Sequence, residues 1–355
     1  MLNNVGNSFI TLITLTSFII FFVIYKVSNS ENLKIFLDTD FDKPQAFHSS
    51  PVPRAGGFAS IIALTLLFST FNFFFNLEIL SYIYFSILFF TLGFVEDIKI
   101  NSNPSVRLIL MVLILSIGFF LFDIEITKTG LLFLNQWLQN SLFQYFFLLL
   151  CFLFVINGCN LIDGFNGLLA TQLIIINSIL LFIHLENSSL EYAFLIFGQI
   201  SILFIFLLFN FPSAKMFFGD SGAYLFGAIT SLNVINTSVS FDKISPFFFA
   251  ILLFYLFFEV FFSFIRKIKM DKSPLKPDKF HLHMLIFDYL KNKDKKYSHA
   301  LVTVYINTTY FLCIYPAIYF KQEALFCRYW LILLILFYIY FYNFYSNHIK
   351  KDENY

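Results

Sequence analysis

Long apolar runs recur along nearly the whole of this 355-residue chain. The run FFLLLCFLFVI at 146–156 is followed, after a short polar interruption, by LLATQLIIINSILLFI at 168–183. Runs of about 17–22 apolar residues have the length that a helix needs to cross the hydrocarbon core of a bilayer. Because 59% of the residues are hydrophobic and only 13% are charged, a soluble domain of this length has too little interior to bury them. We therefore predict an all-α integral membrane protein.

Hydropathy predicts a bundle of about eleven transmembrane helices in one multi-pass domain covering 1–355, with the polar motifs between about 26 and 300. The predicted spans lie near 7–25, 57–75, 79–95, 106–122, 143–158, 167–185, 191–209, 222–240, 246–265, 299–320 and 329–346. Residues 1–6 contain no Lys or Arg, so the first run lacks the basic start of a cleaved signal peptide and is expected to remain as an anchor.

The basic residues are divided unequally between the two sides of this bundle. Of the 23 Lys and Arg residues, 19 lie in the connections after odd-numbered spans or in the C-terminal tail, and 4 lie on the other side. Since cytoplasmic loops carry the excess of Lys and Arg, the N-terminus is predicted to face out and the C-terminus to be cytoplasmic. We expect a bacterial inner (cytoplasmic) membrane protein whose polar motifs face the cytoplasm.

Four acidic residues lie at span ends on the predicted cytoplasmic face: Glu96, Asp97, Asp163 and Asp220. Carboxylates at such positions are costly unless they are hydrated, paired or bound to cations. Asp163 and Asp220 each precede an apolar run, so helix capping is an alternative for either residue alone. The location of all four residues on one face favours a functional site.

Polar residues around these carboxylates indicate which ligands the site would accept. Asn160, Asn166 and Asn210 supply further oxygen ligands, which suit Mg²⁺ or Mn²⁺ and not zinc. Arg54 and Lys215 lie in the same set of loops and can neutralise phosphate charge. A membrane face with such groups indicates chemistry on a phosphorylated lipid.

Two polar residues inside predicted spans, and one amphipathic segment, each permit a structural reading. Glu259 lies seven residues before Arg266 in the ninth predicted span, so it must face the bundle interior or a wet cavity. Pairing with a basic residue and lining the active cleft both stay open for Glu259. Asn157, and Asn160 just beyond the same span, either contact substrate or hydrogen-bond between helices. The segment 123–142, which contains Trp137, is typical of an interfacial helix.

Five motifs together resemble the polyprenyl-phosphate N-acetylhexosamine-1-phosphate transferases, the MraY/WecA-type enzymes. They occur in the order of that family: PVPRAGG (51–57), ED (96–97), NGCNLIDGFNGL (157–168), FNFPSAKMFFGDSG (209–222) and PDKFHLH (277–283). The resemblance implies a bundle of about ten or eleven helices, often dimeric, so a homodimer is to be considered. It also implies transfer of a sugar-1-phosphate from a UDP-sugar to undecaprenyl phosphate, with release of UMP and with Mg²⁺ as cofactor.

The first and fifth motifs look like the WecA/WbpL-type branch, which starts O-antigen, capsule or related envelope glycans from a UDP-amino sugar. The peptidoglycan branch, which handles UDP-MurNAc-pentapeptide, is the alternative within the family. Outside the family, a transporter or flippase of phosphorylated solutes and a non-catalytic scaffold stay open. A transporter is expected to place polar residues near the bilayer midplane and to show internal repeats, whereas here the motifs cluster at one interface. We expect no nucleic-acid partner.

The resemblance also implies roles for individual residues. Asp220 is the first choice for a Mg²⁺ ligand, with Asp163 as the second. Glu96 and Asp97 would position or deprotonate the lipid phosphate, or an aspartate would attack first to give a covalent intermediate. The catalytic candidates are Glu96, Asp97, Asp163, His281 and His283. The substrate-binding candidates are Arg54, Asn157, Asn160, Asn166, Asn210, Lys215 and Glu259.

Three residues depart from the family pattern. Glu96 stands where many members have Asp, Asn166 stands where many have a second Asp, and Met284 stands where many have a third histidine. Each change alters the reach, charge or hydrogen-bonding capacity of the site. We expect these changes to bear on substrate choice or on the rate.

Overall fold

The computed structural model describes residues 2–28, 37–38, 51–75, 77–100, 103–274, 276, 278–291 and 298–352. Residue Pro277 of the fifth motif lies outside the described residues, as does the stretch 39–50 that precedes the first motif.

The regular structure of the described part is almost entirely helical, in agreement with the predicted class. The helices are α1 (Leu2–Ser28), α2 (Gly56–Phe74), α3 (Leu80–Asp97), α4 (Pro104–Leu121), α5 (Leu132–Trp137), α6 (Ser141–Ile162), α7 (Leu168–Glu186), α8 (Leu190–Asn210), α9 (Gly219–Ser240), α10 (Pro246–Leu252), α11 (Phe254–Lys269), α12 (Leu282–Lys291), α13 (Ser298–Tyr319) and α14 (Ala324–Asp352). The antiparallel pair β1 (Leu37–Asp38) and β2 (Val52–Pro53) joins the segments on either side of 39–50.

Nine helices of the described residues are long and apolar enough to cross a membrane, and the bent pair α10–α11 makes ten. This confirms an all-α integral membrane protein. The remaining predicted span, 222–240, corresponds to α9, which is not among these ten. Its 22 residues give a length of about 33 Å, enough for a span. Its many Ser, Thr and Asn residues lower its hydropathy.

Helix α9 lies at the centre of the bundle, packed against α2, α3, α6 and α7. Its polar residues are paired inside the bundle by hydrogen bonds. The Asn233 amide donates to Asn177 Oδ1 at 2.7 Å and to Gln199 Oε1 at 2.6 Å, and its oxygen accepts from the Tyr82 hydroxyl at 2.8 Å. Interhelical hydrogen bonds of this kind stabilise helix packing in a membrane, because apolar side chains gain little there by leaving lipid for another helix.

The ninth predicted span, 246–265, is broken. Helices α10 and α11 meet at an angle of 76°. The Tyr310 hydroxyl donates to the carbonyl of Leu252, the last residue of α10. Gly158 of α6 permits close packing just beyond the break, because a Cβ there would lie 2.3 Å from the carbonyl oxygen of Leu256. Residues 250–257 contain no proline or glycine that would predict a bend. The bend is therefore stabilised by neighbouring helices.

The segment predicted as an interfacial helix contains the short helix α5. None of its six residues is buried, and Trp137 is 55% exposed. An exposed Trp beside an apolar bundle is the expected feature of an interfacial segment.

Candidate active site

The N-terminus of α9 lies where α2 begins and α3 ends. The backbone N–H groups of Gly56 and Gly57 donate to the carbonyls of Phe217 and Phe218 at 2.9 and 2.8 Å. Gly93 of α3 allows a similarly close approach, since a Cβ there would lie 2.4 Å from the backbone of Asp220. The first, second and fourth sequence motifs therefore meet at one end of the bundle.

Asp97, the last residue of α3, caps α9. Its Oδ1 accepts from the backbone N–H of Asp220 at 2.9 Å. Its Oδ2 accepts from the backbone N–H of Ser221 at 3.0 Å and from the Ser221 hydroxyl. A carboxylate is suited to this place, because the first N–H groups of a helix lack internal partners and carry partial positive charge. The contacts give Asp97 a structural role, and its part in catalysis stays a prediction.

Arg107 lies between two of the other predicted site carboxylates. Its Nη1 is 3.4 Å from Asp220 Oδ2 and 3.6 Å from Glu96 Oε2. Helix α4 begins with Pro104 after Asn103, whose side chain accepts from a backbone N–H, and this start places Arg107 in the first turn. The side chains of Arg107, Asp220 and Glu96 are each partly exposed, so this part of the site is accessible from outside the bundle.

Asp163, directly after α6, belongs with Glu96, Asp97 and Asp220 to a cluster of four acidic residues, called the carboxylate group below. It lies beside the backbone of Gly219 and within electrostatic range of Asp220, Arg54 and Asp97. Burial raises the pKa of Asp163 well above its usual value, and Asp220 raises it further, whereas Arg54 lowers it. The repulsion between Asp163 and Asp220 is the kind that a bound cation relieves.

Arg54 is fixed at one end of its guanidinium group. Its Nε and Nη2 lie 2.9 and 2.7 Å from Oδ2 of Asp38, which the pairing of β1 with β2 places nearby. Its Nη1 lies 3.9 Å from Asp97 Oδ1. Arg54 therefore points a positive charge at the carboxylate group, as a phosphate-neutralising residue would.

The two asparagines of α6 face different neighbours. Asn160 lies beside the side chain of Tyr224 in α9, at the carboxylate site. The Asn157 amide donates to Leu153 O of its own helix at 2.8 Å and lies 3.8 Å from Met111 Sδ on α4. Asn157 thus makes one interhelical contact, with Met111, which agrees with one of its two predicted roles. Its contact with substrate stays a prediction.

The DGFNG loop (163–167) is held in place by its neighbours. The Asn210 oxygen accepts from the backbone N–H of Gly167, and its amide donates to Met216 O at 2.9 Å. The Asn166 amide donates to Pro212 O at 3.2 Å. Asn210 and Asn166 therefore tie this loop to the fourth motif, and their contact with substrate stays a prediction.

A second polar cluster lies where the fifth motif meets α11 and α14. Glu259 is 1% exposed. Its Oε1 is 3.1 Å from His281 Nδ1 and accepts from the backbone N–H of Leu282 at 3.2 Å, and its Oε2 accepts from the Tyr338 hydroxyl at 2.6 Å. The other ring nitrogen of His281 lies 3.4 Å from Asp278. Glu259 is thus paired inside the protein, which was one of its two predicted readings.

His283 connects this cluster to the DGFNG loop. Its ring stacks on that of His281, with centroids 5.5 Å apart, and lies edge-on to Phe165 at 5.6 Å. Its Nδ1 lies 3.4 Å from the Tyr255 hydroxyl, and its Nε2 has no hydrogen-bond partner among the described residues. Burial lowers the pKa of His283 to about 3, despite the opposing charge of Glu259. His283 is therefore neutral at physiological pH.

The carboxylate group fits Mg²⁺. Within the described ranges, no three His, Cys, Asp or Glu side chains converge as a preformed metal site. Mg²⁺ does not require such a cage, because it is commonly held by one or two carboxylates together with water and substrate phosphates. Asp163 and Asp220 provide two oxygen donors of like charge close enough to raise the pKa of Asp163.

Several site residues were not singled out in the sequence. Arg107 was detectable, since the Asn103–Pro104 helix start places it in the first turn of α4. Asp38 pairs with Arg54, 16 residues further along the chain, and Tyr224 lies beside Asn160 of another helix. No local sequence pattern indicates either residue. Lys215, which was predicted, is exposed and lies in the fourth motif, and its role stays a prediction.

Comparison with known proteins identifies the family. The glycosyl transferase family 4 model matches residues 79–238, which contain Glu96, Asp97, Asp163 and Asp220. An undecaprenyl-phosphate alpha-N-acetylglucosaminyl 1-phosphate transferase of Thermotoga maritima is 31% identical over 248 residues, covering 69% of this chain and 72% of the relative.

Other relatives carry names from both branches. A probable undecaprenyl-phosphate N-acetylglucosaminyl 1-phosphate transferase of Bacillus subtilis is 26% identical over 299 residues, covering 82% of this chain and 78% of the relative. A phospho-N-acetylmuramoyl-pentapeptide-transferase of Dictyoglomus thermophilum is 31% identical over 200 residues, covering 54% of this chain and 61% of the relative. The predicted branch stays a prediction. The match with the Thermotoga protein over more than two thirds of both chains shows that this chain belongs to glycosyl transferase family 4.

Proposed function

We propose that this protein transfers an N-acetylhexosamine-1-phosphate from a UDP-sugar to undecaprenyl phosphate and releases UMP. The observation that carries the proposal is the group of Asp163, Asp220 and Glu96, with Arg54 and Arg107, at the N-terminus of α9, the central helix of the bundle. Relatives named as transferases that act on undecaprenyl phosphate support it. The positive-inside distribution of Lys and Arg favours a cytoplasmic site in a bacterial inner membrane.

The reaction is a phosphoryl transfer between two anionic substrates. An oxygen of the lipid phosphate attacks the sugar-bearing phosphorus of the UDP-sugar, and the bond from that phosphorus to the bridging oxygen breaks, so that UMP leaves. A phosphate monoester is largely ionised near pH 7, since its second pKa is ~6. The attacking group therefore needs orientation and charge neutralisation more than a strong base. Arg54 and Arg107 are placed to supply positive charge.

Mg²⁺ is the cofactor that we propose, with Mn²⁺ as a substitute. Asp220 and Asp163 would hold it, and Asn160 adds a neutral oxygen donor beside them. When bound, the ion would neutralise charge on the diphosphate.

We favour UDP-GlcNAc or a related UDP-amino sugar as the donor, at the first membrane step of O-antigen, capsule or other envelope glycan synthesis. The PVPRAGG and PDKFHLH motifs support this choice. UDP-MurNAc-pentapeptide is the second candidate donor, because the relative from Dictyoglomus thermophilum carries a pentapeptide-transferase name.

The test is an assay of the purified protein in detergent with undecaprenyl phosphate and Mg²⁺. UDP-GlcNAc, UDP-GalNAc and UDP-MurNAc-pentapeptide are offered separately, and UMP and the lipid product are measured by mass spectrometry. We expect lipid-linked product from one of the amino-sugar donors and no product from Asp220→Asn. Product from the pentapeptide donor alone would assign the other branch. Absence of UMP with all donors, or full activity in Asp220→Asn, would overturn the proposed reaction or its site.

A further inference from the structure

We propose that Glu259 is a positioning residue that acts through His281 to set the fifth motif against the DGFNG loop. The activity test of this inference rests on the proposed function. Glu259 lies outside the carboxylate group at the α9 N-terminus, and its contacts are with the fifth motif and α14. Its effect on the reaction would therefore be indirect.

The fifth motif is attached to one face of α11 at two points. Glu259 and Arg266 are seven residues apart, which places them on the same face of a helix and about 10 Å apart along it. Arg266 binds both oxygens of Asp278, at 2.8 and 3.1 Å. His281 lies between the two points, 3.1 Å from Glu259 and 3.4 Å from Asp278. One imidazole thus joins two carboxylates.

The same carboxylate defines the start of α12. The His281 carbonyl accepts from the backbone N–H groups of Met284 and Leu285 at 3.0 Å each, and Glu259 accepts from that of Leu282. A carboxylate near the first N–H groups of a helix stabilises that start and fixes its direction. His283 follows in the first turn of α12, so its ring is placed against the DGFNG loop by the same contacts.

The two histidines of the motif consequently differ in what they can bind. Both ring nitrogens of His281 face carboxylates. His283 has an Nε2 without a partner in the described part of the chain. His281 therefore serves to position, and His283 retains the capacity for a further hydrogen bond.

Glu259→Gln tests the positioning role, because an amide keeps the size of the side chain and loses its charge. We expect kcat to fall ~10-fold or more, the scale on which loss of a residue that orients a functional histidine acts, with a smaller change in KM. The double variant with His281→Ala should be no worse than His281→Ala alone, since residues acting through one another are non-additive. Glu259→Asp, which keeps the charge, should recover part of the rate. Tyr338→Phe, which removes only the Oε2 partner, should lose less.

Hydrogen–deuterium exchange gives a readout that does not depend on turnover. We expect faster exchange across 278–291 in Glu259→Gln and in His281→Ala, with α9 unchanged. Wild-type turnover and exchange in Glu259→Gln, or multiplied losses in the double variant, would overturn the positioning role. If the wild type transfers no sugar phosphate, the proposed function fails, and the exchange result still decides whether Glu259 holds the motif.

Discussion

Asp97 holds the N-terminal end of the helix that carries Asp220, with its Oδ1 2.9 Å from the Asp220 backbone nitrogen. This contact joins α3 to α9 at the point where the metal ligand is proposed. The two carboxylates, for which the sequence predicted different roles, also have different surroundings. Asp97 is enclosed and accepts N–H groups, whereas Asp220 is partly exposed beside Arg107.

Asp97→Asn is expected to reduce both stability and UMP release. An Asn side chain places an NH₂ group where Asp97 has an acceptor, so a buried donor loses its partner, at a cost of roughly 1–3 kcal/mol. Displacement of the α9 start would also move Asp220. Thermal unfolding in detergent and UMP release at a temperature below the transition measure the two effects. Glu125→Gln, an exposed change in the connection between α4 and α5, is the control, and an unchanged unfolding temperature in Asp97→Asn would contradict the capping role.

Arg107→Gln is expected to increase the apparent affinity for Mg²⁺ while lowering turnover. Arg107 neutralises Asp220 and Glu96 at 3.4 and 3.6 Å, so its removal leaves more negative charge for a cation. Ion pairs this exposed are worth about 0.2–1 kcal/mol, which corresponds to a change of roughly 1.5- to 5-fold in affinity. A Mg²⁺ titration of UMP release measures it.

The exposed change Lys269→Gln serves as the control for net charge in that titration. Weaker Mg²⁺ dependence in Arg107→Gln than in the wild type would contradict the proposed competition between Arg107 and the metal ion.

The fold class was predictable from the sequence because apolar runs of the right length admit few structures in lipid. The clustering of the motifs was also predictable, because the number of spans between the motifs places all of their loops on one side of the bundle. The bend between α10 and α11 was not predictable, since it depends on Tyr310 and Gly158 of other helices. The pairing of Glu259 was left open for the same reason, as its partner His281 lies 22 residues further along the chain, beyond the end of α11.

Asn233→Leu is expected to destabilise the bundle without affecting the chemistry directly. Asn233 makes side-chain hydrogen bonds to Tyr82, Asn177 and Gln199, and such bonds within membranes average ~0.6 kcal/mol each. We expect a loss of roughly 2 kcal/mol, measured by thermal unfolding in detergent, with UMP release retained at low temperature. Val239→Leu, at an exposed position of the same helix, is the matched control. Lost turnover in fully folded Asn233→Leu would assign this network to the active site instead.

His283 is expected to make stability depend on pH. Burial lowers its pKa from 6.5 to about 3, so between these values the unfolded chain binds a proton that the folded protein does not. Stability from this residue is therefore complete above pH 6.5 and is lost as the pH falls through that window. His283→Gln should flatten the pH dependence of the unfolding temperature between pH 6.5 and 5. His348→Gln, which replaces an exposed histidine, should show the same pH dependence as the wild type. An equal slope in His283→Gln and the wild type would mean that His283 is not held neutral by burial against the DGFNG loop.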